Sequence, residues 1–132
     1  MAVSIGNVFY NHLKTDTDMI SAFGSSIYYI ENDNESKAPY ATTYLSDDPR
    51  DRSFLCATDQ GNATFECDNF AKTAPEGDTD RSAFIKAVRK LEGTTVDSFN
   101  IWRVEIINVI DRSNTINGLM QFSFSAVVYW KS

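Results

Sequence analysis

The sequence predicts an α+β fold, a mostly antiparallel β-sheet with two helices packed on one face, in the order α-β-β-β-α-β-β. Apolar residues recur at helical spacing in two segments, whereas apolar and polar residues alternate in others, as they do in half-buried strands. The connections are short and no strand–helix–strand unit repeats, which favours antiparallel neighbours. One sheet with both helices on the same face is the economical arrangement of these elements.

The first half of the chain predicts a helix that is broken once, followed by strands. Helical spacing runs from Val3 to Leu13 after the capping candidate Ser4, and Thr15–Asp18 offers caps for a second short turn that Gly24 ends. β-branched, aromatic and alternating residues then indicate strands. These are Ile27–Ile30, Pro39–Leu45, a weak strand at Phe54–Ala57 and, after a turn near Asp59–Gly61, Ala63–Phe70.

The second half predicts one helix and two long strands. Asp78–Asp80 offers caps for a helix over Arg81–Leu91, which Gly93 closes. The strands are Phe99–Ile110 and Leu119–Trp130, with a loop over Asp111–Gly118 between them. Strict alternation places Trp102 on the same face of its strand as Val104 and Ile106. We expect Trp102 and Trp130 to be core aromatic residues rather than surfaces that bind a ligand.

Length and composition predict one globular domain spanning residues 1–132. The hydrophobic content of 42% is enough for a core without disulfides or metal. No apolar run approaches the ~20 residues that cross a bilayer, and the N-terminus lacks the pattern of a signal peptide. We therefore expect a protein that is made and used inside a cell.

The formal net charge of -6 argues against electrostatic capture of nucleic acid, because that binding depends on clustered Lys and Arg. The negative charge is compatible with a surface along which DNA passes without binding. The charged connection between the second and third strands contains both signs at high density and is a candidate subunit or partner interface, although plain solvation also explains it. Its charged residues are Asp47, Asp48, Arg50, Asp51 and Arg52.

Residues that often carry chemistry are few. His12, the only histidine, is expected to lie at the end of the first helix and to interact with the C-terminal dipole of that helix rather than to catalyse. Cys56 and Cys67 face each other if a turn centres on Gly61–Asn62, which brings them within disulfide reach, but two free thiols are the favoured alternative. No phosphate-binding Gly-rich loop, Gly-x-Ser-x-Gly or paired His ligands occur. No catalytic, cofactor or metal site is therefore predicted.

The main alternative from another class is a small ligand-binding or enzymatic α+β domain, which needs a buried ionisable side chain pointing into a pocket. Glu66, Asp68 and Glu105 are the available strand carboxylates. Alternation places each of them on a face that we interpret as polar.

Several short motifs occur in an order that carries more information than any of them alone. They are a helical stretch ending in Phe23-Gly24, the strand Ile27–Ile30, the opening Ala38-Pro39-Tyr40, the alternating strand Thr64–Phe70, the helix through Phe84, Val88 and Leu91, and the close Val127–Trp130. Over about residues 5–130 the chain resembles the tail-terminator, or tail-completion, proteins of long-tailed bacteriophages. The loops Glu31–Lys37 and Phe54–Asn62 are longer than in the commoner members.

The resemblance implies a non-enzymatic structural protein of the virion, made in the host cytoplasm. It implies a homo-oligomeric ring, a hexamer, that caps the head-proximal end of the tail tube and stops its polymerisation. The implied partners are further copies of the chain, the major tail tube protein and a head–tail connector or stopper protein, with DNA passing through the lumen and no membrane or cofactor involved. A connector adaptor or stopper is the alternative role within the particle.

Overall fold

The computed structural model describes residues 4–29, 39–47, 60–116 and 119–131, which form three helices and a six-stranded sheet. This is the α+β class that the sequence predicts. In chain order the elements are α1 (Ile5–Thr15), α2 (Thr17–Phe23), β1 (Ile27–Tyr29), β2 (Tyr40–Asp47), β3 (Gln60–Ala71), α3 (Ala74–Arg89), β4 (Thr94–Val96), β5 (Phe99–Ile116) and β6 (Leu119–Lys131).

The strands lie in the order β1-β2-β3-β6-β5-β4. Neighbouring strands are antiparallel, except that β1 pairs in parallel with β2. The central pair is β3 with β6, in register from Gln60 opposite Lys131 to Ala71 opposite Met120. The sheet is therefore mostly antiparallel, as predicted, and one short edge strand makes it mixed.

The helices of the described chain pack on one face of this sheet, and aromatic side chains join the two layers. Phe9 of α1 stacks on Phe65 of β3 with ring centroids 4.0 Å apart. Phe84 of α3 meets Phe124 of β6 edge-on at 5.0 Å and Phe23 of α2 at 6.0 Å. All five rings are buried, and burial of such a side chain contributes about 1.5–3 kcal/mol. No helix in the described part of the chain is long and apolar enough to cross a membrane.

The opening helix is broken where the sequence predicts it. Ser4 Oγ accepts a hydrogen bond from the Asn7 amide at 3.1 Å and begins α1. Asp16 ends α1 and begins α2, because its Oδ1 accepts from the Asp18 and Met19 amides at 2.8 and 3.2 Å. Gly24, with a φ of 61°, follows the last residue of α2, a conformation that costs glycine little.

The third helix begins earlier than predicted. Its N-cap is Thr73, whose hydroxyl accepts from the Glu76 amide at 3.4 Å, and Pro75 lies in the first turn. Proline is favoured there because its fixed φ suits a helix and its missing N–H is not needed. The prediction that Asp78–Asp80 caps this helix is wrong, and Asp78 instead pairs with Arg81 at 3.1 Å.

Two turns of the sequence interpretation are also corrected. β3 begins at Gln60, so the turn expected near Asp59–Gly61 is wrong at Gln60 and Gly61, which pair with β6. β5 continues to Ile116 through most of the loop expected over Asp111–Gly118. Both changes lengthen antiparallel pairs, in which cross-strand packing outweighs the local turn preference of Gly, Asn and Asp. The weak strand expected at Phe54–Ala57 lies outside the described residues.

The sequence interpretation also missed β4. This strand pairs with the start of β5, from Val96 opposite Phe99 to Thr94 opposite Ile101. The two-residue connection, Asp97 and Ser98, has φ values of 48° and 74°. Positive φ at both central residues is the requirement of the turn that suits twisted hairpins.

Candidate functional site

The face of the sheet opposite the helices carries a polar band along its two central strands. Phe65 and Cys67 of β3 lie in the core, so Glu66 and Asp68 point to the other face. On β6, Ser125 and Ser123 lie directly opposite Glu66 and Asp68. No helix of the described chain covers this side, which we call the open face.

A groove of about 240 Å³ lies in the open face, and we call it the sheet groove. Tyr44 of β2 forms one wall, while Asn108 and Ile110 of β5 form the other. The floor is made by Glu66, Asp68, Gln121, Ser123 and Ser125. The structure thus brings together two of the three predicted strand carboxylates on the polar face to which alternation assigns them.

Uncharged donors hold both carboxylates of the groove. Ser125 Oγ lies 3.0 Å from each carboxylate oxygen of Glu66. Asp68 Oδ1 accepts from Gln121 Nε2 at 3.1 Å and from the Ser123 hydroxyl. Among the side chains that the structure describes, no Lys or Arg makes an ion pair with either of them. The described lining of the groove thus carries two carboxylates and no cationic side chain, which suits a partner that presents cations or hydrogen-bond donors.

A bulge in β5 shapes one wall of the groove. The pairing with β6 shifts between Ile107 and Ile110, and Asn108 has a φ of 53°. Asparagine tolerates this left-handed conformation better than most residues. The extra residue breaks the alternation of the strand, because a bulge opposes two residues to one. Ile110, which lines the groove, is 45% exposed, so an apolar side chain borders the two carboxylates.

The third strand carboxylate, Glu105, belongs to a separate cluster farther along the open face. Its Oε2 lies 3.1 Å from Arg103 Nη2, and its Oε1 accepts from the Tyr129 hydroxyl at 3.1 Å. The latter hydrogen bond raises the pKa of Tyr129. Arg103 also stacks over the Tyr129 ring at 5.7 Å. Glu105 thus pairs with a cation, whereas the groove carboxylates have no such partner among the described side chains.

The prediction that Trp102 is a core aromatic is wrong. Trp102 is 48% exposed and its ring lies 5.5 Å from that of Tyr129. A second register shift, between Ile101 and Arg103, removes Trp102 from the alternation and leaves Ile101 in the core. Trp130, which the same reasoning placed in the core, is buried as expected.

On the helical side, basic side chains gather at the end of α3. Lys90 Nζ lies 3.1 Å from Asp16 Oδ2 and 2.7 Å from Asp18 Oδ2, and Lys86 Nζ lies 4.0 Å from Asp18. The hydrogen bond from Lys90 lowers the pKa of Asp18. Arg89 is exposed beside them, since residues three and four apart share one side of a helix. Ile20, one turn along α2 from Asp16, is 47% exposed.

The lone histidine has a structural contact. His12 Nε2 lies 2.7 Å from the Ala87 carbonyl oxygen. Because a carbonyl only accepts, this nitrogen carries the hydrogen. The contact is with the last turn of α3, whereas the sequence suggested only the end of the histidine's own helix. It joins α1 to α3 and leaves His12 on the helical side, away from the sheet groove.

The described cysteine is a buried free thiol. Cys67 lies opposite Thr43 on one neighbouring strand and Phe124 on the other. Burial raises its pKa far above that of an ordinary thiol. The turn at Gly61–Asn62, which would align Cys67 with Cys56, is wrong because both residues are in β3. Cys56 itself lies outside the described residues.

The candidate interface residues of the charged connection are almost all beyond the described chain. The backbone of Asp47 ends β2 opposite Thr64. The other members, Asp48, Arg50, Asp51 and Arg52, lie outside the described residues. Within the described ranges no group of three or more His, Cys, Asp or Glu could hold a metal ion.

Comparison with known proteins finds a likeness in structure alone. No protein-family model matches the sequence, and no curated protein matches it. The fold is similar to that of a chain in the "Virion of native gene transfer agent (GTA) particle", with a TM-score of 0.66 and 12% sequence identity. The similarity covers 98% of this chain and 96% of that chain. At this identity the likeness concerns the fold.

Proposed function

We propose that this chain is a structural protein of a virion that caps the head-proximal end of a tail tube as a ring. The ring, a hexamer, stops tube polymerisation and provides the surface to which the head connector joins. The observation that carries the proposal is the likeness in fold to a virion particle chain over nearly the whole of both chains. The order of motifs that resembles tail terminators supports the same role.

The charge of the chain fits a channel through which DNA slides. A ring of six copies carries about -36 formal charges, which repels the phosphate backbone. Among the lining residues of the sheet groove that the structure describes, there is no Lys or Arg that would hold DNA. The isolated protein should therefore pass through a DNA column at low salt without retention. Strong binding would contradict a lumen that does not bind DNA.

The interfaces of such a ring are head-to-tail, and a ring forms only if the rotation between neighbours closes. The charged connection is a candidate contact, because opposite charges fix the register between subunits. Its residues are Asp47, Asp48, Arg50, Asp51 and Arg52. The major tail tube protein on one side and a connector or stopper protein on the other are the proposed neighbours.

The test is the length of tails assembled without this protein. Electron micrographs of particles lacking it should show overlong tubes and capsids without tails. Tails of normal length beside unattached capsids would contradict termination and would instead favour a connector adaptor or stopper. A turnover assay that responded to this protein would overturn both structural roles.

A further inference from the structure

The two sides of the subunit have complementary chemistry. The sheet groove presents Glu66 and Asp68, held by uncharged donors, beside the exposed Ile110. The opposite, helical side of the subunit presents an exposed isoleucine of α2 and basic side chains at the end of α3, which packs against α2. We call this side the α2–α3 surface. Its members are Ile20, Lys86, Arg89 and Lys90. One surface is apolar and acidic, and the other is apolar and basic.

We propose that the α2–α3 surface of one copy seats on the open face of the next copy, with Lys86 and Arg89 facing Glu66 and Asp68. The inference rests on the ring proposed above and names the contact that builds it. Ile20 of one copy packs against Ile110 of its neighbour, so the two exposed apolar side chains leave water together. Lys90 stays with its own Asp16 and Asp18.

Charge decides between this arrangement and a two-fold dimer. A two-fold contact places the same surface on both partners, and because the sheet groove and the α2–α3 surface lie on opposite sides of the subunit, only one of them can lie in such a contact. Two sheet grooves face to face would bring the carboxylates of Glu66 and Asp68 against their copies, and two α2–α3 surfaces would oppose their basic side chains. Juxtaposed like charges oppose association. A head-to-tail contact pairs opposite charges at every junction and leads to a ring or a filament.

The test uses two charge-reversed variants of the full chain. One, the sheet variant, carries Glu66→Lys and Asp68→Lys. The other, the helix variant, carries Lys86→Glu and Arg89→Glu. Either variant alone has two surfaces of the same sign, so we expect the concentration needed for ring assembly to rise at least about tenfold. An equimolar mixture restores opposite charges at each junction if the two variants alternate, which an even-numbered ring permits.

Native mass spectrometry of each variant and of the mixture measures this, together with electron microscopy of rings on purified tail tubes. We expect rings with equal copies of both variants in the mixture and few rings from either alone. Circular dichroism and thermal unfolding confirm that each variant is folded. Glu66→Gln with Asp68→Asn keeps hydrogen-bonding groups in the groove and should weaken assembly without abolishing it.

Matched controls change charge outside the proposed contact. Glu76→Lys and Lys72→Glu alter exposed side chains near the start of α3, and both should assemble like the wild type. If the sheet and helix variants each form rings as readily as the wild type, the contact is wrong and the ring stands. If the wild type forms no ring in solution or on tubes, the ring itself is wrong, and this contact with it.

Discussion

Replacing Gly77 by alanine tests how closely α3 approaches the sheet. Gly77 is a buried helical residue, and a Cβ built there lies 2.6 Å from Cζ of Phe122 and closer still to two other atoms of that ring. In an exposed helix the change from glycine to alanine stabilises by about 1 kcal/mol. Here the helix must instead move away from β6, or the Phe122 ring must leave its place.

The cost of that movement exceeds the gain in helix propensity. Overpacking a well-packed core costs about 1–3 kcal/mol. The Gly77 carbonyl also accepts the hydrogen bond of Asn69 Nδ2 at 3.2 Å, and Asn69 is fully buried with no described partner for its Oδ1. A shift of the helix would break this hydrogen bond and leave the buried side-chain amide of Asn69 unpaired, which costs about 1–3 kcal/mol. After the gain of about 1 kcal/mol in helix propensity is subtracted, we expect a net loss of about 1–5 kcal/mol in the free energy of unfolding.

Urea unfolding monitored by circular dichroism measures the loss as a lower midpoint concentration of urea, with an unchanged dependence of the free energy of unfolding on urea concentration. Thr79→Ala, at an exposed position of the same helix, is the control and should stabilise by a few tenths of a kcal/mol, roughly the difference in helix propensity. Phe122→Ala should relieve the clash, so the double variant should lose at least about 1 kcal/mol less than the two single losses together. A Gly77→Ala protein as stable as the wild type would refute the close approach.

Three further outcomes are expected. Burial raises the pKa of Asp80, so its ionisation costs stability once the pH exceeds the ordinary aspartate pKa of about 4. The Asp80→Asn variant should therefore unfold at a higher temperature than the wild type at pH 7 and should lose this advantage below about pH 4. In a Cys56→Ser background, buried Cys67 should react with a thiol reagent only after urea unfolds the protein. Trp102→Ala should cost less than about 1 kcal/mol because the side chain is half exposed, whereas Trp130→Ala should cost about 3–5 kcal/mol by urea unfolding.

The sequence predicts well those elements whose burial follows one regular period. The alternation from Ala63 to Phe70 identifies both faces of β3, because each residue of that strand keeps its place in the pleat. The sequence also indicates the cap at Asp16, since a side-chain oxygen just before a helical segment can accept hydrogen bonds from the first free amides of that helix. Such signals need no knowledge of the rest of the chain.

Features that depend on distant pairing are not predicted. The bulges in β5 at Trp102 and Asn108 arise from the register that β6 imposes, and neither residue type marks a bulge by itself. The start of α3 is mispredicted for another reason, because the three residues at 78–80 also carry the side-chain oxygens typical of an N-cap. The bulge shapes one wall of the sheet groove. The sequence therefore does not predict the groove, although it identifies the two carboxylates that line it.

The polar floor of the groove has a structural role as well as the proposed one. Glu66 and Asp68 lie opposite Ser125 and Ser123, and a slip of one residue between β3 and β6 would place Phe124 opposite one of the carboxylates. The hydroxyl–carboxylate pairs therefore favour the observed register at the centre of the sheet. A charge reversal can weaken assembly by disturbing that register, which a fold measurement alone would not separate from a lost contact. The alternating mixture separates them, because the helix variant can restore assembly to the sheet variant only across a contact between subunits.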